Sequence, residues 1–512
     1  MCRATQSVMN IFLVVLSSTM SLSCSENPSK PLDAPLDGFT TADLAITNTN
    51  VGSANTSGKY RMISFDIQWN YSWRTSSSPN NWDAAWVFAK YRVGSGEWKH
   101  ATLSVFSAEH TAPAGSILYP PSDGKGVFLY RSEDGTGVFR AAGVSLRWNY
   151  GVDQVADDAD VSVKVFGIEM VYVPQGSFYA GDDGYSMASF TRGSNDKRSW
   201  HITTDDAIKV TNTTSKGYYY TSSKDFWNDQ FNANEDTTGT SFTIPADFPK
   251  GYRAVYCMKY EMTQQQYVDF LNTLTSIQAS NRYHRANSNR YGYTITESNG
   301  VYSTAHPQRA CGFLSPADGF AYADWAGLRP MSELEFEKIC RGSGTQSVKG
   351  EYAWGTLYCR NARSANGTES DRKYVTASGA NCLYAEENFS PQFPLNAGIF
   401  AGAGKSRELS GATFYGLLEM SGNLNETCVS VGTKIGRMFT GRNGDGQLTA
   451  DGSANESNWP LDDGRGSGFR GGTLAQDQHC MQVSDRTEAT VEIDHTHRHI
   501  PWGFRGVRTV AF

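Results

Sequence analysis

Sulfur and imidazole side chains are the sharpest chemical signals in the chain. Nine cysteines occur among 512 residues: Cys2, Cys24, Cys257, Cys311, Cys340, Cys359, Cys382, Cys428 and Cys480. No two form a Cys-x-x-Cys pair, so neither a zinc ribbon nor a thioredoxin-like redox site is indicated. Cys480 stands in His479-Cys480-Met481, three soft or borderline donors in a row. On a strand, adjacent side chains leave by opposite faces, so these three would not converge on one ion. Cys480 therefore reads as a small buried residue, the alternative being a catalytic thiol. Further on, His495-Thr496-His497-Arg498-His499 sets three imidazoles at period two. A strand would bring them to one face, able to take a transition metal or to form a solvent-facing stripe. With no carboxylate or cysteine placed to complete a metal site, the stripe is preferred.

The elements that must position these groups follow from composition and pattern. Hydrophobic residues make up 39% and charged residues 19%, which fits a globular chain and excludes a disordered one. The length suits two domains and a targeting segment. Gly, Tyr, Phe and Trp are plentiful and helical runs few, favouring strands and long ordered loops. The net charge is −7 and there is no long basic run, so nucleic acid is not an expected partner.

At the N-terminus, Arg3 is followed by an apolar stretch from Met9 to Val15, then small residues up to Cys24. The stretch is too short for a permanent membrane helix and reads as a secretory signal over 1–23. Ser21-Leu22-Ser23-Cys24 resembles a loose bacterial lipobox, which implies lipidation of Cys24 and a membrane anchor. Residues 24–44, rich in Pro and Ser, read as a tether. The expected location is the bacterial cell envelope, lipid-anchored at the outer membrane. Export permits disulfides, but the seven cysteines after Cys24 leave at least one thiol unpaired.

Residues 45–167 are strand-like. Ile63 to Trp69, Val144 to Trp148 and Val161 to Val165 alternate large apolar with polar residues, one face buried and one wet. Trp86 to Tyr91 is a further candidate, and Gly94-Ser95-Gly96 and Glu133-Asp134-Gly135 are turns. Together they predict an antiparallel β-sandwich, its aromatics mostly core.

The text changes at Ile168. Met170 to Gly181 is an apolar strand running into a Gly turn. Tyr260-Glu261-Met262-Thr263 leads into Gln264 to Leu271, where Thr263 is an N-cap and Tyr267, Phe270 and Leu271 share a helical face. Ala321 to Lys338 contains Trp325-Ala326-Gly327-Leu328-Arg329-Pro330-Met331-Ser332-Glu333-Leu334-Glu335, in which Ser332 and Glu335 form a capping box and Trp325 should close the preceding helix against it. Tyr352-Ala353-Trp354-Gly355, Tyr415-Gly416-Leu417-Leu418-Glu419-Met420-Ser421-Gly422-Asn423-Leu424-Asn425-Glu426, Arg470-Gly471-Gly472-Thr473 and Gly503-Phe504-Arg505 follow in order. These motifs resemble the formylglycine-generating enzyme family of the sulfatase-modifying factor type, over residues 168–512. The resemblance implies a C-type-lectin-like domain with irregular loops over 168–512, so the fold class read for the chain is α+β, the N-terminal antiparallel β-sandwich followed by that domain. The stretch 182–249 departs from the motifs and reads as a Ser/Thr/Asn-rich surface excursion.

The family's oxidase binds copper through two closely spaced thiols after the Arg-Gly-Gly turn. Only Cys480 is present there, so formylglycine formation is not expected, nor is copper. A branch of the fold using nonheme iron needs a His-x-x-x-His-x-Glu helix, which is missing, so iron is not expected either. The resemblance also carries a calcium site onto Glu419, Gly422, Leu424 and Glu426, two carboxylates and two backbone carbonyls on a tight turn; the alternative is a solvated turn. Asn361 resembles the start of a second site. What remains is a noncatalytic envelope lipoprotein that binds a protein or glycan ligand. The C-terminal segment would recognise it through Gln476, Asp477, His479, His495 and His497, polar side chains between fixed frame motifs. Val483 to Arg486 read as an internal anchor, with Asp485 and Arg486 able to pair within the frame. The arrangement also resembles lectin-fold proteins diversified by retroelements. The alternatives are a sulfatase-modifying oxidase and a structural component of an envelope secretion or gliding machinery.

Overall fold

The computed structural model describes residues 44–226, 234–285, 291–362, 365–366, 374–375, 378–385, 393–402, 404–460, 464–490 and 497–509. Cys24 lies outside the described residues, as does His495.

The chain begins with strands β1 (Ala45–Val51), β2 (Arg61–Arg74), β3 (Asp83–Val93), β4 (Lys99–His100), β5 (Ser116–Tyr119), β6 (Val127–Arg131), β7 (Gly135–Trp148) and β8 (Val161–Val173). β1, β2 and β7 form one antiparallel sheet. Alternation in β2 buries Ile63, Phe65, Ile67 and Trp69 on one face. They meet Val144, Leu146 and Trp148 of β7, Ala85, Val87 and Ala89 of β3, and Val127 and Leu129 of β6 in one apolar cluster.

β3 does not alternate between wet and dry. It is buried from Asp83 to Tyr91, because its second face is covered as well. Ala84, Trp86 and Phe88 enter a different cluster with Ile168, Met170, Tyr256 and Trp325. Trp86 Nε1 donates to the Ala326 carbonyl at 2.8 Å. Lys90 Nζ, at the same face, donates to the Trp325 and Gly446 carbonyls at 2.7 and 2.9 Å. A continuous apolar run of this kind marks a strand buried on both sides.

β8 carries the sheet onward. It pairs with β3 along its length, and its end, Met170 to Val173, pairs with the strand Val255–Met258, itself paired with Val507–Thr509. One sheet therefore runs β5, β6, β3, β8, Val255–Met258, Val507–Thr509, with β4 on the flank of β3. Beside the join, Lys259 Nζ reaches Asp83 and Glu169 at 3.1 and 3.0 Å, all three almost wholly buried.

Beyond β8 the chain is mostly short strands, turns and four main helices: α1 (Gln264–Leu271), α2 (Ser276–Arg282), α3 (Pro316–Trp325) and α4 (Glu333–Arg341). Each starts at a reciprocal capping box, Thr263 with Gln266, Thr275 with Gln278, Ser315 with Asp318 and Ser332 with Glu335. Two orphan N–H groups are satisfied at each start, which stabilises helices too short to persist alone. Trp325 packs on Phe88, Phe166 and Phe270 instead of closing α3 against α4, and its Nε1 donates to Thr273 Oγ1. The stretch 182–249 is not a surface excursion. Phe190, Trp200, Ile202, Val210, Tyr220, Ile244 and Phe248 are buried in the main cluster, single large residues sewn through polar sequence. Among the described residues, no helix is long and apolar enough to cross a membrane.

Candidate functional site

A small second sheet holds the site. Its central strand, Asn425–Val429, pairs in parallel with Met331–Ser332 and with Trp502–Gly503, and antiparallel with Ser467–Arg470. The motifs noted in sequence thus converge on one strand. The turn preceding it needs left-handed backbone at Glu419, Gly422 and Asn423. At Gly422 a side chain is also sterically excluded, since a Cβ would lie 2.5 Å from the Leu383 carbonyl oxygen.

Three carboxylates meet at this turn. Glu419 Oε1 accepts from the Gly398 amide at 2.9 Å, and Glu426 Oε1 accepts from Arg505 Nε at 2.8 Å. Glu261, just before α1, accepts from the Leu424 amide at 2.8 Å and from the Asn423 side chain. Glu261, Glu419 and Glu426 are 1%, 5% and 0% exposed. Arg505 is buried beside them and also donates to the Met258 and Leu418 carbonyls. The second oxygens of Glu419 and Glu426 are buried with no hydrogen-bond partner. Burial raises all three carboxyls, that of Glu419 to about 7, and outweighs what Arg505 offsets; at Glu261 the charges of Glu426 and Glu419 add to the rise. The orphaned oxygens of Glu419 and Glu426 are hard donors, but Glu261, Glu419 and Glu426 do not bring one oxygen each within 4.8 Å of one another. In the sequence Glu261 is one residue of the motif that leads into α1. Its signal there was a lone acid ahead of a helix cap, indistinguishable from a surface residue.

Asn361 is spent on local structure: its side chain brackets the Tyr384 backbone, donating to the carbonyl at 2.7 Å and accepting from the amide. A separate acid group, Asp324, Asp445 and Glu456, has ligand oxygens within 4.8 Å of one another. Asp324 there accepts from the Asp445 and Asn455 amides, holding their loop.

The segment after Arg470 stands on a buried charge frame. Arg470 pairs with Glu333 and Glu337 at 2.9 and 2.8 Å and donates to the Val483 carbonyl. Arg486 pairs with Glu333, not with Asp485, and lies over the Phe190 and Tyr220 rings. Asp485 accepts from the Thr487 amide instead. Between these anchors the chain is buried through Leu474, surfaces from Ala475 to His479, and is buried again from Met481. Gln478–Met481 is a 3₁₀ turn rather than the expected strand, because Asp477 caps it by accepting from the His479 amide at 2.9 Å. Asp477 and His479 are exposed; Gln476 is half-buried, with its side chain on Glu488 and its carbonyl accepting from Ala385 N. Cys480 is half-buried, and burial with Asp485 and Asp477 nearby pushes its thiol up, away from the thiolate that catalysis would need.

His497 is exposed and stacks on His499 at 5.8 Å, which in turn lies 4.6 Å from Trp502. Arg498 turns inward to Asp318 and the Asn281 carbonyl. Leu474 and Ile500 pack on the same cluster as Leu424, so the Ala475–His479 run and the His497–His499 run emerge around one small core and beside the acidic turn.

The comparisons with known proteins bear on this arrangement. No curated protein matches the chain. Among solved structures, the chain is similar to Treponema denticola variable protein 1, with 12% identity and a TM-score of 0.32, covering 67% of this chain and 95% of that one. The model of the sulfatase-modifying factor enzyme 1-like domain matches residues 237–510, more than half of the sequence and all of the motifs from α1 onward, and the chain belongs to that family.

Proposed function

We propose that the protein is a noncatalytic binding module held at the bacterial envelope by a lipidated Cys24. An N-terminal antiparallel sandwich carries a lectin-like domain, and a protein or glycan ligand is read through Gln476, Asp477, His479, His495 and His497. The observation that carries this reading is the run Ala475–His479. It is exposed except at the half-buried Gln476, while the residues on both sides are buried and fixed by the Arg470 and Arg486 ion pairs. Polar side chains on a rigid frame are what adaptable recognition needs. Calcium, held by Glu419 and Glu426 with the backbone of Gly422 and Leu424, would brace the turn beneath. The raised Cys480 thiol, without a second cysteine after Arg470, argues against formylglycine chemistry.

The test is retention of a ligand from native envelope by the immobilised protein. Combined alanine changes at His479 and His497 should abolish retention while leaving the fold intact. Retention equal to wild type would overturn the assigned surface. Conversion of a sulfatase-derived cysteine peptide to its aldehyde, lost in Cys480→Ser, would overturn the noncatalytic reading. Detergent partition lost in Cys24→Ser tests the anchor separately.

A further inference from the structure

Cys359 and Cys382 are thiols whose Sγ atoms lie 3.1 Å apart. That is inside the about 3.5–4.0 Å that unbonded carbon atoms keep, and sulfur is the larger atom. The backbones that carry them are already paired. Asn361 and Cys382 form a parallel bridge, with Ala362 N donating to the Cys382 carbonyl at 2.9 Å and Asn381 N to the Arg360 carbonyl at 3.0 Å. Asn361 clamps Tyr384 immediately beyond. A disulfide needs its sulfurs about 2.05 Å apart. The two sulfurs stand about 1 Å beyond that spacing.

We propose that Cys359 and Cys382 form a disulfide, and that the other five cysteines after Cys24 remain thiols. Cys359 is half-exposed and Cys382 is buried, which sets the order of events. Cys359, as thiolate, attacks a small-molecule or protein disulfide and expels one thiolate. Cys382, as thiolate, then attacks the Cys359 sulfur and expels the second. One S–S bond forms in the protein and one breaks in the oxidant. The two protons lost by the cysteines end on the two expelled thiols, so the oxidant is reduced by two electrons. Cys257, Cys311, Cys340 and Cys428 are buried, and burial holds their thiols protonated, as it does that of Cys480.

The bond would fix a junction. Leu383 accepts from the Asn423 amide of the acidic turn at 2.9 Å, and Ala385 donates to the Gln476 carbonyl at 2.8 Å. The three residues after Cys382 thus link that turn to the exposed run. The assignment stands whether or not that run binds a ligand.

The test equilibrates purified full-length protein with reduced and oxidised glutathione, then alkylates under denaturing conditions and maps peptides by mass. In the oxidised buffer the peptides carrying Cys359 and Cys382 should be joined, lighter by two hydrogens, and the other five cysteines alkylated. The melting temperature should rise by about 3 °C over the reduced protein, from closing this loop in a chain of this size. Cys359→Ser and Cys382→Ser should each remove that rise. Full alkylation of both cysteines in the oxidised buffer, or a link from either to a different cysteine, would overturn the proposal. The peptide map of the unaltered protein decides the matter if either variant fails to fold.

Discussion

Two groups of buried glutamates lie beside the small sheet, where Glu426 and Arg470 are cross-strand partners, and they differ in how their charge is met. On α4, Glu333, Glu335 and Glu337 are 1%, 3% and 0% exposed, and each has an arginine: Glu333 takes Arg470 and Arg486, Glu335 takes Arg329, and Glu337 takes Arg470 and Arg341. At the turn, Glu261, Glu419 and Glu426 are as deeply buried but share Arg505 alone. The carboxyls respond in opposite directions. Burial pushes Glu337 up, but Arg470 and Arg341 outweigh it and hold it below the ordinary value. Glu419 rises to about 7. A matched group of this kind is frame, and its members fix loops; an unmatched one is a place for a proton or a cation. The same amino acid, at the same burial, thus meets two electrostatic surroundings, separated by the count of neighbouring guanidinium groups.

The largest expected effect lies in the matched group. Arg470→Ala leaves Glu333 and Glu337 short of a partner and frees the Val483 carbonyl, so it should cost about 3–5 kcal/mol. Denaturant unfolding would measure it, and a loss within about 1 kcal/mol would show that the frame is not carried by these pairs. The unmatched group should behave with the opposite sign. Removing a surplus charge by Glu419→Gln should stabilise the calcium-free protein at alkaline pH, on the order of 2 kcal/mol. It should also abolish the rise in melting temperature that calcium produces, a rise worth about 2.7 kcal/mol at a hundredfold excess over Kd. If calcium and chelator give the same melting curve in the unaltered protein, the turn does not take the cation.

A pH series sharpens the contrast. Glu419 is raised in the folded state to about 7 from an ordinary 4.5, so between those values the folded protein holds more protons than the unfolded one. Its contribution is therefore full below the unfolded value and is lost as pH rises through about 7. Calcium competes for the same oxygens, and its stabilising effect should grow from about pH 5.5 to about pH 8. Melting curves with calcium and with chelator at each pH would check the sign; a response that is flat with pH would separate calcium from Glu419.

Much of this frame was legible in sequence because it is local. Period two in β2, the Thr263 cap and the Ser332/Glu335 box depend on residues three or fewer apart. The family motifs were legible for the same reason, each a short run. What was hidden depends on contacts between distant residues. The second face of β3 is buried by other elements, Phe128, Ile168, Tyr256 and Trp325 among them, so its run from Asp83 to Tyr91 has no period that would identify it. Arg486 finds Glu333 across 153 positions, where the neighbouring Asp485 had seemed its natural partner. Glu261 reaches the Asn423 and Leu424 turn across more than 160 positions, which is why the calcium ligands read from the motif lacked it. The run His479-Cys480-Met481, read as strand, is wound into a turn by a single Asp477 cap.

The smallest expected effect on stability falls on the exposed run, and there the two properties should part. His479 and His497 are exposed; the backbone around them is held by Arg470, Arg486 and Arg498, not by their own side chains. His479→Ala with His497→Ala should therefore shift stability by no more than about 0.5 kcal/mol, as surface changes away from caps and pairs do. Asp477 is left out of this pair because it caps the 3₁₀ turn, so its removal would mix a structural loss with any loss of contact. Arg498→Ala serves as the opposite control. Its side chain points away from the exposed face into Asp318, which is wholly buried, so that variant should lose stability whatever the His497 surface does. A double histidine variant that melts like the unaltered protein yet fails to retain envelope ligand would assign the exposed run to recognition. Equal retention at equal stability would leave the frame intact and move the binding surface elsewhere.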